Sequence, residues 1–225
     1  MLKRHFENEG RFNYSLAESS FDLWIDGYEK GVPGRKVSIY NEGALAAMIL
    51  DLTIRKKFNN QRSLDDLMRL MWERHGQDMS GYSWQDYKQA AEDIFESDLA
   101  IYFEQIIFGT ADYGEWLFPL LNDFGIQPYD KAPDQHLEKD FGIKTEDETI
   151  IALANGSAAE EHLMLKDKII KTMESESDCV LEIERYGQNK SIRLEKNEAT
   201  YFAIPQISEE SIDNNNSLLK GWLEI

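Results

Sequence analysis

Thiols are all but absent from this chain: Cys179 is the single cysteine. That excludes an internal disulfide and, with no partner thiol, a cysteine-rich metal site. Long apolar runs are missing too. The densest, Ala44 to Leu50, is seven residues, far short of the roughly 20 a membrane-spanning helix needs. The first residues, Met1-Leu2-Lys3-Arg4-His5-Phe6-Glu7, lack the apolar core of a signal peptide. Basic residues are scarce: 24 Lys and Arg stand against 42 Asp and Glu, a net charge of −18. A surface of that sign repels phosphate backbones, and no local basic stripe offsets it, so nucleic acid is not an expected partner. Nor is a membrane. The lone cysteine favours a reducing, cytoplasmic setting.

What is present suffices for a packed core, with 42% hydrophobic and 12% aromatic residues. The first half reads as helices separated by short loops. Ser15-Leu16-Ala17-Glu18 is a capping box, followed by Phe21, Trp24, Ile25 and Tyr28 at helical spacing. Gly27 and the Gly31-Val32-Pro33-Gly34 cluster should end that helix. A second helix is expected over Tyr40 to Phe58. A third is capped by Ser63-Leu64-Asp65-Asp66 and carries Leu64, Leu67, Met68, Met71 and Trp72 as its apolar positions. Gly76 should stop it; further helices are expected from Ser83 to Glu96, from Asp98 to Phe108, ending at Gly109, and from Glu115 to Phe124, stopped by Gly125.

The pattern changes after Gln127-Pro128-Tyr129-Asp130-Lys131-Ala132-Pro133, which reads as a linker. Beyond it the period is that of strands: Thr149 to Leu153, Lys168 to Ile170, Cys179 to Arg185, and Ser191 to Leu194 after a Tyr186-Gly187-Gln188-Asn189 turn. A final helix, Asn215 to Leu223, should dock through Leu218, Leu219, Trp222 and Leu223. The expectation is an α+β chain: a helical domain over 1–126, a linker over 127–136, a small β domain over 137–207 and a C-terminal helix over 208–225.

One stretch carries more than fold information. Tyr40-Asn41-Glu42-Gly43-Ala44-Leu45, followed by Asp51-Leu52-Thr53-Ile54-Arg55 and Ser63-Leu64-Asp65-Asp66-Leu67-Met68, and preceded by Ser15-Leu16-Ala17-Glu18-Ser19-Ser20-Phe21-Asp22-Leu23-Trp24, resembles the carboxy-terminal half of glycyl-aminopeptidase-like zinc metallopeptidases of the thermolysin-like (gluzincin) type. In that family a PDZ domain follows. Gly156-Ser157-Ala158-Ala159 and Leu165-Lys166-Asp167-Lys168-Ile169-Ile170 are similar to worn PDZ motifs, with Ala158 for proline and Lys166 for glycine. Only the eight mostly polar residues Lys171 to Asp178 separate two strands where a PDZ groove helix would lie, so a PDZ-like domain with that helix reduced is expected. Phe141-Gly142-Ile143 would be its carboxylate loop, a candidate peptide-binding site.

The resemblance implies a role for Tyr40 as the phenol that stabilises the tetrahedral oxyanion. It also implies a zinc aminopeptidase that releases small amino-terminal residues such as glycine or alanine from peptide substrates. The zinc helix and the third ligand would lie upstream, on another part of the same polypeptide. No H-E-x-x-H occurs here, and His5, His75, His136 and His162 lack ligand spacing, so no metal site is expected in this chain and no activity from it alone. In enzymes of this kind a lysine often precedes the glycine; this chain has Glu42. The remaining readings are structural: Gly43 as a close-packing position, His75 at a helix end, His136 solvated, and Glu160-Glu161-His162 on a short exposed helix. Asp65-Asp66 and Glu92-Asp93 are read as caps and solvated faces, and Trp72, Trp84 and Trp116 as packing anchors. The competing functional class is a non-catalytic protein-interaction module using the PDZ-like domain or an exposed helix face.

Overall fold

The computed structural model describes residues 1–26, 34–77 and 80–224. Tyr28, Gly27 and the Gly31-Val32-Pro33 part of the expected helix stop lie outside the described residues. The chain divides into a helical unit, Met1–Tyr129 with Gln206–Ile225, and a β unit, Asp130–Pro205.

In the helical unit the central element is a 20-residue helix, Ile39–Phe58 (α4). Leu45, Ile49, Leu50, Leu52 and Ile54 along it are buried. Around it pack Leu2–Phe6 (α1), Leu16–Phe21 (α2), Leu64–Met71 (α5), Trp84–Phe95 (α6), Tyr113–Asp123 (α8) and Ser217–Leu223 (α11). Leu23–Asp26 (α3) follows α2, and Ala100–Tyr102 (α7) precedes α8. The serines that the sequence marks as caps do cap: Ser15, Ser63 and Ser83 each form a reciprocal box with the acidic residue three positions on.

Asp66 is thus a cap, while Glu92 accepts from Leu99 N and Asp93 is paired with Arg74, so these carboxylates are structural. The tail returns to this unit. Asn216 caps α11 and its side-chain nitrogen donates to the Asp123 carbonyl, and Asn60 donates to the Leu218 carbonyl.

Several sequence readings need correction here. α5 does not continue as an α-helix but widens into a π-helical turn, Trp72–Gly76. Leu67 and Met71, four apart on one face of α5, are buried, while Met68 and Trp72, on the adjacent face, are exposed. Trp84 is also half exposed, packed edge-on to Phe108 and not buried as an anchor. The same widening recurs at Phe103–Ile107 after α7. In α11, Leu219 is buried but Leu223 is exposed. The α1 helix and a 3-10 turn at Glu9–Phe12 were not legible from periodicity, being too short to show one.

The β unit is an antiparallel sheet in sequential order: Ile143–Glu146 (β2), Thr149–Leu153 (β3), Lys168–Glu174 (β4), Asp178–Arg185 (β5) and Gln188–Glu195 (β6). Tyr129–Lys131 (β1) and Ile204–Gln206 (β7) pair separately. β5 shows the period of two directly, with Cys179, Leu181 and Ile183 buried. Tyr186 and Gly187 join β5 to β6 with φ of 53° and 77°, the two positive values a two-residue type I′ hairpin turn requires.

The polar Lys171-Thr172-Met173-Glu174 segment, read as turn or stunted helix, instead extends β4. Its partners are Glu182, Leu181, Val180 and Cys179, so backbone pairing holds a strand that hydropathy does not announce. Two short helices flank the sheet, His136–Phe141 (α9) and Ala158–His162 (α10). α9 begins inside what reads as linker. His136 on it lies 3.0 Å from the Asp140 carboxylate and 3.1 Å from that of Glu174, not simply in solvent.

Candidate active site

Ser38 ends an extended segment, its hydroxyl accepting from the Asn41 amide, and α4 begins. Tyr40 therefore sits in the first helical turn, where the unsatisfied amides and the helix dipole leave positive potential. Its side chain is 69% exposed. Gly43 is one turn further along the same face, in the i, i+3 relation. Among the described residues, a Cβ built on Gly43 would meet no atom within 4 Å outside its own helix backbone and chain neighbours. This corrects the close-packing reading: the glycine, with the exposed Ala44 beside it, leaves open space next to the phenol.

The residues on the other side of the same turn are buried. Asn41 and Glu42 both point into the unit, and Glu42 is only 3% exposed. Its Oε2 lies 2.5 Å from Nδ1 of His5, which is 1% exposed. The His5 ring stacks on Tyr113 at 4.9 Å between centroids and meets Phe6 edge-on at 4.8 Å. Burial pushes the Tyr113 phenol far above its ordinary value, and the Glu42 charge adds to the shift, so the phenol stays protonated and donates to the Ile106 carbonyl. Arg11 donates to the Phe6 carbonyl at 2.6 Å; burial lowers its guanidinium, while Glu9, Asp112 and Glu42 oppose the shift. Among the described residues, His5 Nε2 has no hydrogen-bond partner.

Sequence reasoning singled out Glu42 as a departure but gave no signal for His5 as its partner, because the two are 37 residues apart and follow no spacing rule. The other candidates sit in the β unit. Phe141 and Ile143 are buried core side chains, and Gly142 ends α9 in the left-handed region at φ 69°. The Gly142 amide donates to the Glu138 carbonyl, and its own carbonyl accepts from Ala154 N. A side chain there would collide with Ala154 and Ser157. His75 lies in the π turn, near Tyr82, and His162 ends α10, its carbonyl accepting from Arg185.

Among the described residues no group of three or more His, Cys, Asp or Glu side chains is arranged to hold a metal ion. The described residues therefore show no zinc site. No helix among them is long and apolar enough to cross a membrane.

Comparison with known proteins agrees with the stretch around Tyr40. Residues 1–46 match the M61 glycyl aminopeptidase family profile, a span that ends within the Tyr40-to-Ala46 turn. No curated protein matches the chain in sequence. Among solved structures, the aminopeptidase N family protein from Idiomarina loihiensis superposes with a TM-score of 0.73 at 22% identity, covering 99% of this chain and 42% of that one. The chain thus spans less than half the length of that protein and shares its fold. Over its first 46 residues the chain is similar to the M61 glycyl aminopeptidase family.

Proposed function

We propose that this chain carries the oxyanion-stabilising tyrosine of a metallo-aminopeptidase of the gluzincin type. The observation behind this reading is the α4 entry turn: Tyr40 stands exposed at a helix amino terminus, with Gly43 on the same face opening onto unfilled space. The phenol O–H donates a hydrogen bond to the scissile carbonyl oxygen as it gains negative charge, and the helix dipole acts in the same sense. Both contributions grow with the developing charge, so they lower the barrier more than they tighten substrate binding.

Zinc, its ligands and the general base belong, on this reading, to an upstream part of the same polypeptide, and the chain alone does not hydrolyse peptides. The substrates are peptides with a small first residue, glycine or alanine. The side chains of Phe21, Trp24 and Ile25 support the need for a further packing partner, since all three are exposed, Trp24 by 91%. The β unit is proposed as a PDZ-like module without an ordinary peptide groove. β4 runs directly into β5 with no helix between them, and the Gly142 amide is already engaged. The same exposed aromatics favour, as a second reading, a non-catalytic interaction module.

Tyr40→Phe in the intact enzyme tests the main reading. With an alanyl or glycyl anilide, kcat should fall about 100- to 1,000-fold with KM little changed. A kcat within a few-fold of the parent would remove Tyr40 from the chemistry.

A further inference from the structure

We infer that the buried His5–Glu42 pair is a positioning device that sets the orientation of Tyr40, an inference that rests on the reading of Tyr40 given above. Successive residues of an α-helix are rotated by about 100°, so Glu42 and Tyr40, two apart, project about 200° from each other. Drawing the Glu42 carboxylate into the unit therefore turns Tyr40 outward, and whatever fixes the one fixes the other. An unpartnered carboxylate would resist that burial strongly, and His5 is what permits it.

The pair does not act in isolation. The backbone leading to Tyr40 is tied down at successive points by the first 19 residues: Asn8 Nδ2 donates to the Lys36 carbonyl at 3.1 Å, and Val37 N donates to Ser19 Oγ at 3.2 Å. Gly10 lies so close to the Lys36 carbonyl that a side chain there would not fit. Glu42 N closes the first helical bond, to the Ser38 carbonyl, at 2.8 Å. The imidazole is itself held between Tyr113 and Phe6.

Arg11, beside the pair, feels the charges of Glu9, Asp112 and Glu42. A lysine at position 42 would put a cation against the imidazole. Histidine at 5 and glutamate at 42 are thus one unit, and neither residue touches substrate.

The test uses the 225-residue chain with its ten tyrosines labelled at Cζ. The Tyr40 resonance is identified by its loss in Tyr40→Phe. His5→Leu, which removes the donor, should shift that resonance. His5→Asn, whose amide nitrogen stands where Nδ1 stood, should bring it back. Ser63→Ala weakens a helix cap elsewhere in the same unit and should leave it unmoved. If His5→Leu does not fold, Glu42→Gln, which keeps the shape and drops the charge, takes its place and should give the shift. A Tyr40 resonance unmoved in the folded variant, or moved as far by Ser63→Ala, overturns the inference.

In the intact enzyme the same variants should lower kcat on the order of 10- to 100-fold at near-constant KM, with His5→Asn restoring it. The two readings fail separately. A silent Tyr40→Phe would end the oxyanion role and leave the coupling standing, whereas a silent Glu42→Gln beside a crippled Tyr40→Phe would end the coupling alone.

Discussion

Glu42 in the helical unit and Asp167 in the β unit are both almost wholly buried, yet the chain satisfies them differently. Asp167 receives a forked guanidinium, Arg185 Nε at 2.8 Å and Nη2 at 2.6 Å, and the Met164 amide at 2.8 Å. Burial works to raise its pKa, but those bonds and the Arg185 and Lys190 charges outweigh it and hold the carboxyl below its usual range. Among the described residues, Glu42 meets one imidazole nitrogen and, at 3.4 Å, the Asn41 side chain, and the second nitrogen of its partner is unsatisfied. Asp167 is held by a forked guanidinium and a backbone amide, Glu42 by one short imidazole contact and one long amide contact. Local rules are relaxed most where a structure has other work to do, and the less saturated pair is the one beside Tyr40.

Two independent probes allow this contrast to be broken. Trp24, Trp72, Trp84, Trp116 and Trp222, the five tryptophans of the chain, all lie in the helical unit, and Cys179 lies in the β unit. Burial and then the Glu174 and Asp178 charges push the Cys179 thiol up to about 11, so it should label only when the β unit opens.

The largest effect is expected from His5→Leu, which strands the Glu42 carboxylate. It should cost about 3–5 kcal/mol, read as an earlier tryptophan transition in urea, and His5→Leu with Glu42→Leu should recover most of that loss. A cost below about 1 kcal/mol would mean that water reaches Glu42 in solution.

Arg185→Leu is expected to cost about 3 kcal/mol, somewhat less because Arg185 keeps an exposed edge, and to accelerate Cys179 labelling. It should also flatten an acid dependence. Because the folded Asp167 pKa lies below the unfolded one, the pair stabilises fully above the unfolded value, about 3.9. The stabilisation is lost as pH falls through the lower, folded value. Parent protein should therefore gain Cys179 labelling on refolding from pulses below about pH 4, a gain that Arg185→Leu should lose.

The smallest effect, about 1 kcal/mol, is expected from Ser63→Ala at the α5 cap. If the loss at Ser63 matched that of His5→Leu, the buried pair would be no more than an ordinary local contact.

How much of this was readable beforehand depends on range. The boxes at Ser15, Ser63 and Ser83 were legible because donor and acceptor sit three residues apart. The β5–β6 hairpin was legible because its turn and its alternation are both local. The extension of β4 through Glu174 was not, since its exposed, polar residues carry no period and only the ladder to β5 holds them. Met68 and Trp72 were misassigned because apolar residues occupy two adjacent faces of α5, and only packing chose the Leu67–Met71 face for burial. α9 was hidden because six residues are too few to establish a helical repeat.

The sequence by itself determined the caps, the turns, the acidic surface and the presence of Tyr40 at a helix start, all of which depend on atoms within a few residues of one another. Only the tertiary structure decided that His5 lies against Glu42, that Gly43 faces open space, and that Tyr40 is thereby turned outward. Those outcomes come from burial across 37 residues of chain, where the choice of partner is made by packing and desolvation and leaves no pattern along the sequence.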